Sequence, residues 1–368
     1  MANALDSHDT EHGLDSHDVL SLERLGWSPF FEQQRAALDE PVEPARVAAG
    51  GTGIHQVLTA RGPQRATVAG RLLHEAGDPA GLPAVGDWVG LRPGGDGRIV
   101  HRFERRTCLL RKQAGRRIEA QVLAANVDAV MVVSSLNADF NPRRLERYLE
   151  VVLESGARPV FILNKADLCD APARFLEAVA AIAPSAPVAL VSALDGGGID
   201  ALRAHVREGE TVALVGSSGV GKSTIANRLL GAMALREGEI RVHDERGKHT
   251  TTHRELFVLP GGGLLVDTPG LRELLPWSLG EGGPAGFGDV AALAEGCRFR
   301  DCAHEGEPGC AVGRALAEGA LDAGRFESFR KLEAEGRHLR ERQDARARAE
   351  GKRQAKALSR AIRRHPKA

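Results

Sequence analysis

The spacing of apolar positions changes along this chain, and each change predicts a different kind of structure. Between about Pro44 and Arg106, short apolar runs alternate with Gly/Pro turns, in RVAAGGTGIHQVLT, QRATVAGRLL, GDWVGLRPGG and GRIVHRFERR. Short strands closed by such turns predict a small antiparallel β-barrel. An OB-type barrel is expected, and an SH3-like one is compatible with the same pattern. From Ala125 the runs become unbroken: NVDAVMVVSSL, PVFILNKAD, PVALVSA and TVALVG. A strand reads this way when both its faces are covered. Between these runs lie the helical stretches 143-RRLERYLEVVLESG-156, APARFLEAVAAI, IDALRAHV and KSTIANRLLG. Strands alternating with helices predict a doubly wound parallel sheet, to which 264-LLVDTPG-270 adds a strand. After about Pro276 the pattern dissolves into a Gly-rich loop, a Cys/His cluster and charged helices.

The expected fold is therefore multidomain. Residues 1–43 form an acidic disordered tail and an N-terminal arm, with LERLGWSPFFEQQRAAL in 22–40 read as a short helix or ordered arm. Residues 44–106 form the barrel, 107–280 the α/β unit, and 281–368 a mainly helical Cys/His module with a basic helical tail. A length of 368 residues supports more than one domain, and 42% hydrophobic residues supply their cores. A formal net charge of zero carries no global bias toward nucleic acid. The tail departs from that average: Arg330–Ala368 holds 14 Lys/Arg against 5 Asp/Glu.

The opening MANALDSHDTEHGLDSHDVL repeats LDSHD and reads as a disordered tail, neither a signal peptide nor a His metal site. No apolar run approaches the roughly 18 residues a membrane helix needs. Five cysteines, three of them clustered, do not resemble a secreted disulfide framework. A cytoplasmic protein, monomeric and without a membrane partner, is expected.

The stretch 211-TVALVGSSGVGKSTIANRLLG-231 carries the clearest chemistry. Gly216, Ser217, Ser218, Gly219, Val220, Gly221, Lys222 and Ser223 fit G-x-x-x-x-G-K-[ST] between a strand and a helix. Glycines let the backbone turn tightly, so that its N–H groups face phosphate oxygens, and the helix dipole favours the same anion. Lys222 is expected at the β- and γ-phosphates, the Ser223 hydroxyl on Mg²⁺, and Thr224 at the α-phosphate.

Asn164, Lys165, Ala166 and Asp167 fit N-K-x-D at a strand end. Asp167 can accept from both the N1–H and the 2-amino group of guanine, whereas adenine has neither donor. Asn164 is expected to brace the loop, and the Lys165 stem to cover the base. Ser192 and Ala193 match the short turn whose backbone amide reads guanine O6. GTP and GDP are the expected ligands.

Asp267-Thr268-Pro269-Gly270 fits D-x-x-G, with Asp267 reaching Mg²⁺ through water and the Gly270 amide meeting the γ-phosphate. The polar run 247-GKHTTTHREL-256 occupies the place of a first switch. One of Thr250, Thr251 and Thr252 should complete the Mg²⁺ shell, with Thr251 favoured. Leu271 stands where many GTPases carry a water-orienting Gln, and a leucine cannot orient water. His249, and after it His253, are the candidates for that task.

The guanine-reading phrases precede the phosphate loop, so the chain order is that of a GTPase sheet cut and rejoined. Packing tolerates such permutation where new ends lie on the surface. This order, NKAD at 164–167, GSSGVGKST at 216–224, GKHTTT at 247–252, DTPG at 267–270 and the Cys/His cluster resemble one family. It is the circularly permuted small-ribosomal-subunit biogenesis GTPases (ribosome small-subunit-dependent GTPase A, RsgA), and the resemblance spans roughly residues 45–330. It implies GTP hydrolysis stimulated by the 30S subunit, a late role in its maturation, 16S rRNA as a contact, and a hydrophobic residue such as Leu271 in place of the Gln. Lys248 departs from the Arg more usual there. Gly219 stands where potassium-dependent GTPases have Asn, which argues against potassium activation.

Cys297, Cys302, His304 and Cys310 fall within fourteen positions, a donor set suited to a closed, structural Zn²⁺ site. The resemblance implies the same four ligands. Cys108 and Cys169 lack partners at metal spacing and read as packed residues. For RNA, the barrel offers Arg61, Arg65, Arg71, Arg92 and Arg98, with Trp88 reading as core. The basic stretch 337–367 suits phosphate backbones, or else forms a solvated helix. Two other functions stay open: a GTP-regulated RNA-binding scaffold that barely hydrolyses, and an RNA-modification factor not acting on 30S.

Overall fold

The computed structural model describes residues 21–50, 53–112, 120–231, 254–267, 284–338 and 341. The described part of the N-terminal arm starts at Ser21. Its helix α1 (Pro29–Ala36) and the buried Leu25 and Phe31 pack Trp27 edge-on against Trp88, 4.8 Å between ring centroids. Trp88 is fully buried, as read from the sequence.

Five strands follow: β1 (Glu43–Gly50), β2 (Ile54–Thr59), β3 (Gly62–Val68), β4 (Trp88–Leu91) and β5 (Arg98–Arg102). They pair in the order β1-β2-β3-β5-β4, and β4 returns to β1 at Arg46↔Trp88, which closes the barrel. This is the OB arrangement, with helix α2 (Gly70–Glu75) inserted between β3 and β4. Two details differ from the expectation. The β3–β5 pair is parallel, at Thr67↔Arg98, within an otherwise antiparallel barrel. The run QRATVAGRLL leaves the strand after Val68 and turns helical, burying part of Leu72 against the barrel core and tying Arg71 to Glu75 at 2.7 Å. A short apolar run does not by itself separate the two states.

A hairpin that the apolar pattern did not predict, β6 (Cys108–Lys112) and β7 (Ala120–Ala125), leads into the central sheet. There β8 (Ala129–Ser135), β9 (Arg158–Asn164), β10 (Val188–Val191) and β11 (Thr211–Val215) are parallel. With β12 (Glu255–Val258) and β13 (Leu264–Asp267) the order is β10-β9-β8-β11-β13-β12, only β12 being antiparallel to its neighbour. Alternate residues feed cores on the two faces, Val130, Val132 and Phe161 on one and Met131, Val133 and Val160 on the other. That is why these strands read as unbroken apolar runs.

Helices α3 (Pro142–Ser155), α4 (Ala173–Ile182), α5 (Ile199–Arg203) and α6 (Lys222–Leu230) complete the doubly wound unit. Asn141 caps α3 through its side chain and Gly156, at φ 82°, ends it in the left-handed conformation. The end of the expected first-switch run is itself strand, since Glu255 and Leu256 belong to β12 and face Asp267 and Val266. Residues 247–253 lie outside the described residues.

Barrel and sheet are continuous, because β1 also pairs with β12 at Ala49↔Glu255. The buried Arg46 fastens the junction. It donates to the carbonyls of Leu25, Gly86 and Asn126 and, at 2.8 Å, to Thr211 Oγ1 in β11. Burial pushes its pKa down to about 10.

The C-terminal module holds a short 3-10 helix (Ala285–Phe287), α7 (Gly288–Glu295), α8 (Ala311–Ala317) and a helix over residues 323–338 around Phe287, Val290, Val312 and Phe326. Among the described residues no helix is long and apolar enough to cross a membrane. The acidic residues 1–20 and, save residue 341, the basic tail beyond 338 lie outside the described residues.

Candidate nucleotide site and metal cluster

The site forms at the carboxyl ends of β9, β10 and β11, where ligands bind in doubly wound sheets. After β11 the chain turns through residues 216–221 into α6. Two glycines are required there. A Cβ on Gly216, at φ 147°, would stand 2.3 Å from the Val133 carbonyl oxygen, and one on Gly221, at φ 102°, 2.1 Å from Asn164 Nδ2. The Lys222 ammonium donates to the Gly216 carbonyl at 2.7 Å and to that of Ser217. Val220 is buried beneath the loop, while Ser218, Gly219, Ser223 and Thr224 are exposed.

Asn164 ends β9 and is almost wholly buried. Its Nδ2 donates to the Val220 carbonyl at 2.8 Å, and its Oδ1 accepts from the Ala193 N–H at 3.0 Å. One side chain thus ties three loops. Lys165 follows in the left-handed conformation, φ 65°, which turns the chain so that Ala166–Leu168 form a 3-10 turn carrying Asp167. Ser192 Oγ donates to Asp167 Oδ1 at 2.7 Å and so fixes the orientation of that exposed carboxylate.

The Ala193 N–H, expected at guanine O6, donates to Asn164 Oδ1 in this structure. Arg228 in α6 holds the same turn from below, donating to the carbonyls of Ala193, at 3.0 Å, and Leu194. Arg144, at the start of α3, donates to Ser217 Oγ and to Asp139 at 3.1 Å. Sequence reasoning missed both arginines. Each is far from its partner in the chain, and neither lies in a recognisable motif. Lys165, Lys222, Arg144 and Arg228 lie at this end of the sheet beside the carboxylates of Asp139, Asp167 and Asp195.

Of the remaining predicted residues, Asp267 closes the backbone of β13 beside β11. His249, Thr250, Thr251, Thr252, His253, Gly270 and Leu271 lie outside the described residues.

Cys297, Cys302, His304 and Cys310 do converge, their ligand atoms all within 4.8 Å of one another. Cys297 Sγ is 3.7 Å from His304 Nδ1 and 4.0 Å from Cys310 Sγ. Zn–S bonds of about 2.3 Å in a tetrahedron place sulfurs about 3.8 Å apart, so the set fits such an ion. His304 reaches it from a positive φ of 59°. The N–H groups of Val312 and Ala311 hold the Cys297 thiol below its ordinary pKa, whereas burial pushes that of Cys302 up to about 11. Cys310 caps α8, accepting from the Gly313 N–H at 3.2 Å. Cys108 and Cys169 are half-buried and apart from this cluster.

The five barrel arginines are all exposed. Arg61, Arg71 and Arg92 pair with Glu43, Glu75 and Asp96.

A phosphate loop, a guanine-type N-K-x-D loop and a Ser-Ala turn, arranged on one sheet in permuted chain order, define a circularly permuted P-loop GTPase. Comparison with known proteins is specific. The RsgA GTPase family profile matches residues 102–277. A "Small ribosomal subunit biogenesis GTPase RsgA" of Syntrophotalea carbinolica is 46% identical over 86% of this chain and 90% of its own length. Proteins of the same name from Opitutus terrae and Streptomyces coelicolor are 47% and 45% identical over 88% and 91% of this chain, and 92% and 91% of theirs. Crystal structures of YjeQ from Thermotoga maritima and of YloQ, a circularly permuted GTPase, share the fold. Both are 24% identical, with TM-scores of 0.57 and 0.58, covering 80% and 82% of this chain and 98% and 97% of theirs. The chain belongs to the RsgA GTPase family and is a GTP hydrolase.

Proposed function

We propose that this GTPase acts in biogenesis of the small ribosomal subunit, binding the 30S particle with GTP and leaving it after hydrolysis. The observation that carries this reading is the Asn164-centred junction of phosphate loop, N-K-x-D loop and Ser-Ala turn, in a chain whose relatives bear that role in their names.

The chain's residues divide the work. Asp167, oriented by Ser192, accepts from the guanine N1–H and 2-amino group, and the Ser192-Ala193 turn meets O6. Lys165 covers the base. The N–H groups of residues 216–221, with Lys222 and Thr224, hold the phosphates. Ser223 and Thr251, with Asp267 through water, would hold Mg²⁺. That ion, when bound, neutralises charge on the β- and γ-phosphates. The Gly270 amide meets the γ-phosphate. With Leu271 in place of a glutamine, His249 orients the attacking water, and turnover is slow until the ribosomal particle completes the site. Cys297, Cys302, His304 and Cys310 would hold one structural Zn²⁺, which stabilises a small module with a thin core.

The exposed barrel arginines and the basic C-terminal stretch contact 16S rRNA through phosphates. The protein works as a monomer in the cytoplasm. Cosedimentation with 30S particles tests the release step. Retention is expected with a non-hydrolysable GTP analogue and loss with GDP, and equal retention would refute it.

A further inference from the structure

Helix α3 touches both ends of the machinery. At its start, Arg144 donates to Ser217 Oγ in the phosphate loop, while Asp139 holds the same guanidinium from the preceding loop. Along its length, α3 contacts the metal-cluster module. Glu150, 2% exposed, accepts the Ala285 and Gly286 N–H groups at 2.8 Å each. Glu146, 1% exposed, accepts from Arg325 at 3.0 Å and from Arg143 at 2.7 Å. Arg325 in turn holds Asp289 at 2.6 Å and the Gly286 carbonyl at 3.0 Å, with its guanidinium 4.6 Å above the Phe287 ring. At the solvent edge Arg147 pairs with Glu335, and Arg143 with Asp322.

Two carboxylates so deeply buried, each aimed at the module, are costly unless the module is seated on them. Any shift of the module therefore changes the free energy of α3. Arg144 is an α3 side chain that hydrogen-bonds the phosphate loop, at Ser217 Oγ.

We propose that Arg144 is a positioning residue through which α3 couples the phosphate loop to the metal-cluster module. The guanidinium fixes Ser217, and hence the backbone that faces the phosphates, in one arrangement when the module is seated and in another when it is not. Coupling between sites is reciprocal, so GTP and GDP then also set how firmly the module sits. This deepens the proposed function, and rests on its reading of residues 216–223 as the nucleotide loop.

The test uses the purified full-length protein and no ribosome. Dissociation constants for GDP and for a non-hydrolysable GTP analogue are measured for the native chain, Arg144→Ala, Arg325→Ala and the double variant. Unseating the module with Arg325→Ala should shift the ratio of the two constants by about fivefold or more. In the Arg144→Ala background the same change should shift it by less than about twofold, the limit for independent sites. Arg144→Lys, which keeps charge and reach, should restore part of the coupling. Equal shifts in both backgrounds, or none in either, would overturn the proposal. If Arg325→Ala fails to fold, judged by metal content and melting, Arg147→Glu repels Glu335 from the rim and is read by the same two outcomes. Failure of the native chain to bind guanine nucleotides would instead sink the reading of the loop itself.

Discussion

Asn164 Nδ2 donates to the Val220 carbonyl at 2.8 Å, joining two loops that lie 56 residues apart in the chain. The same amide accepts from the Ala193 N–H at 3.0 Å, so the N-K-x-D loop, the Ser-Ala turn and the loop over 216–221 share one buried fastener. Its position at the end of β9, beside β8 and one strand from β11, makes that reach possible. Asn164→Ala would leave a buried carbonyl and a buried N–H unpaired, each costing about 1–3 kcal/mol. GDP affinity should fall by about tenfold or more, read by titration with a fluorescent nucleotide.

Asp167 is the proposed base-selecting residue. In Asp167→Asn the side chain can offer an N–H where the carboxylate only accepted. GTP should then bind at least about a hundredfold more weakly. Xanthosine triphosphate, with a carbonyl where guanine has its amine, should bind better than it does to the native chain. Competition titrations with the two nucleotides check both halves of the prediction.

Arg46 and Thr211 make the corresponding join between barrel and sheet, 165 residues apart in the chain. Arg46→Ala strands the acceptors at Leu25, Asn126 and Thr211 in a buried junction, while the Gly86 carbonyl keeps the Asn126 amide as donor. A loss of about 3 kcal/mol is expected. Melting should shift down by roughly 6–12 °C at about 2–4 °C per kcal/mol. Calorimetry checks it, while the metal content should be unchanged.

Elemental analysis should find one zinc per chain, and Cys310→Ser should lose it. Chelation should melt the module around Phe287, Val290 and Phe326 first, because its core is small. Amide exchange resolves this, with protection falling in 284–338 before it falls in the central sheet.

Much of this was legible in the sequence because its signals are local. A strand covered on both faces must be apolar throughout, and a phosphate loop must carry glycines where a Cβ would strike Val133 or Asn164. The Cys/His spacing likewise brought four ligands within reach of one another. What stayed hidden depends on pairing between distant segments. The hairpin of β6 and β7 has runs too short to stand out, and α2 continues an apolar run that began as strand. Arg144 and Arg228 look like ordinary surface residues of amphipathic helices until the fold sets them against Ser217 and Ala193. β12 was missed although Leu256, Phe257 and Val258 are apolar, because its first two residues close the polar run 247–256 and its neighbours β13 and β1 supply the rest of its context.

GTP turnover by the purified protein tests dependence on the small ribosomal subunit. It should be followed alone and with 30S subunits, 50S subunits or free rRNA. Slow turnover is expected alone, with a rise of about a hundredfold or more with 30S subunits only, the scale on which a positioned catalytic group acts. Equal rates with and without 30S subunits, or equal stimulation by 50S subunits, would contradict that dependence.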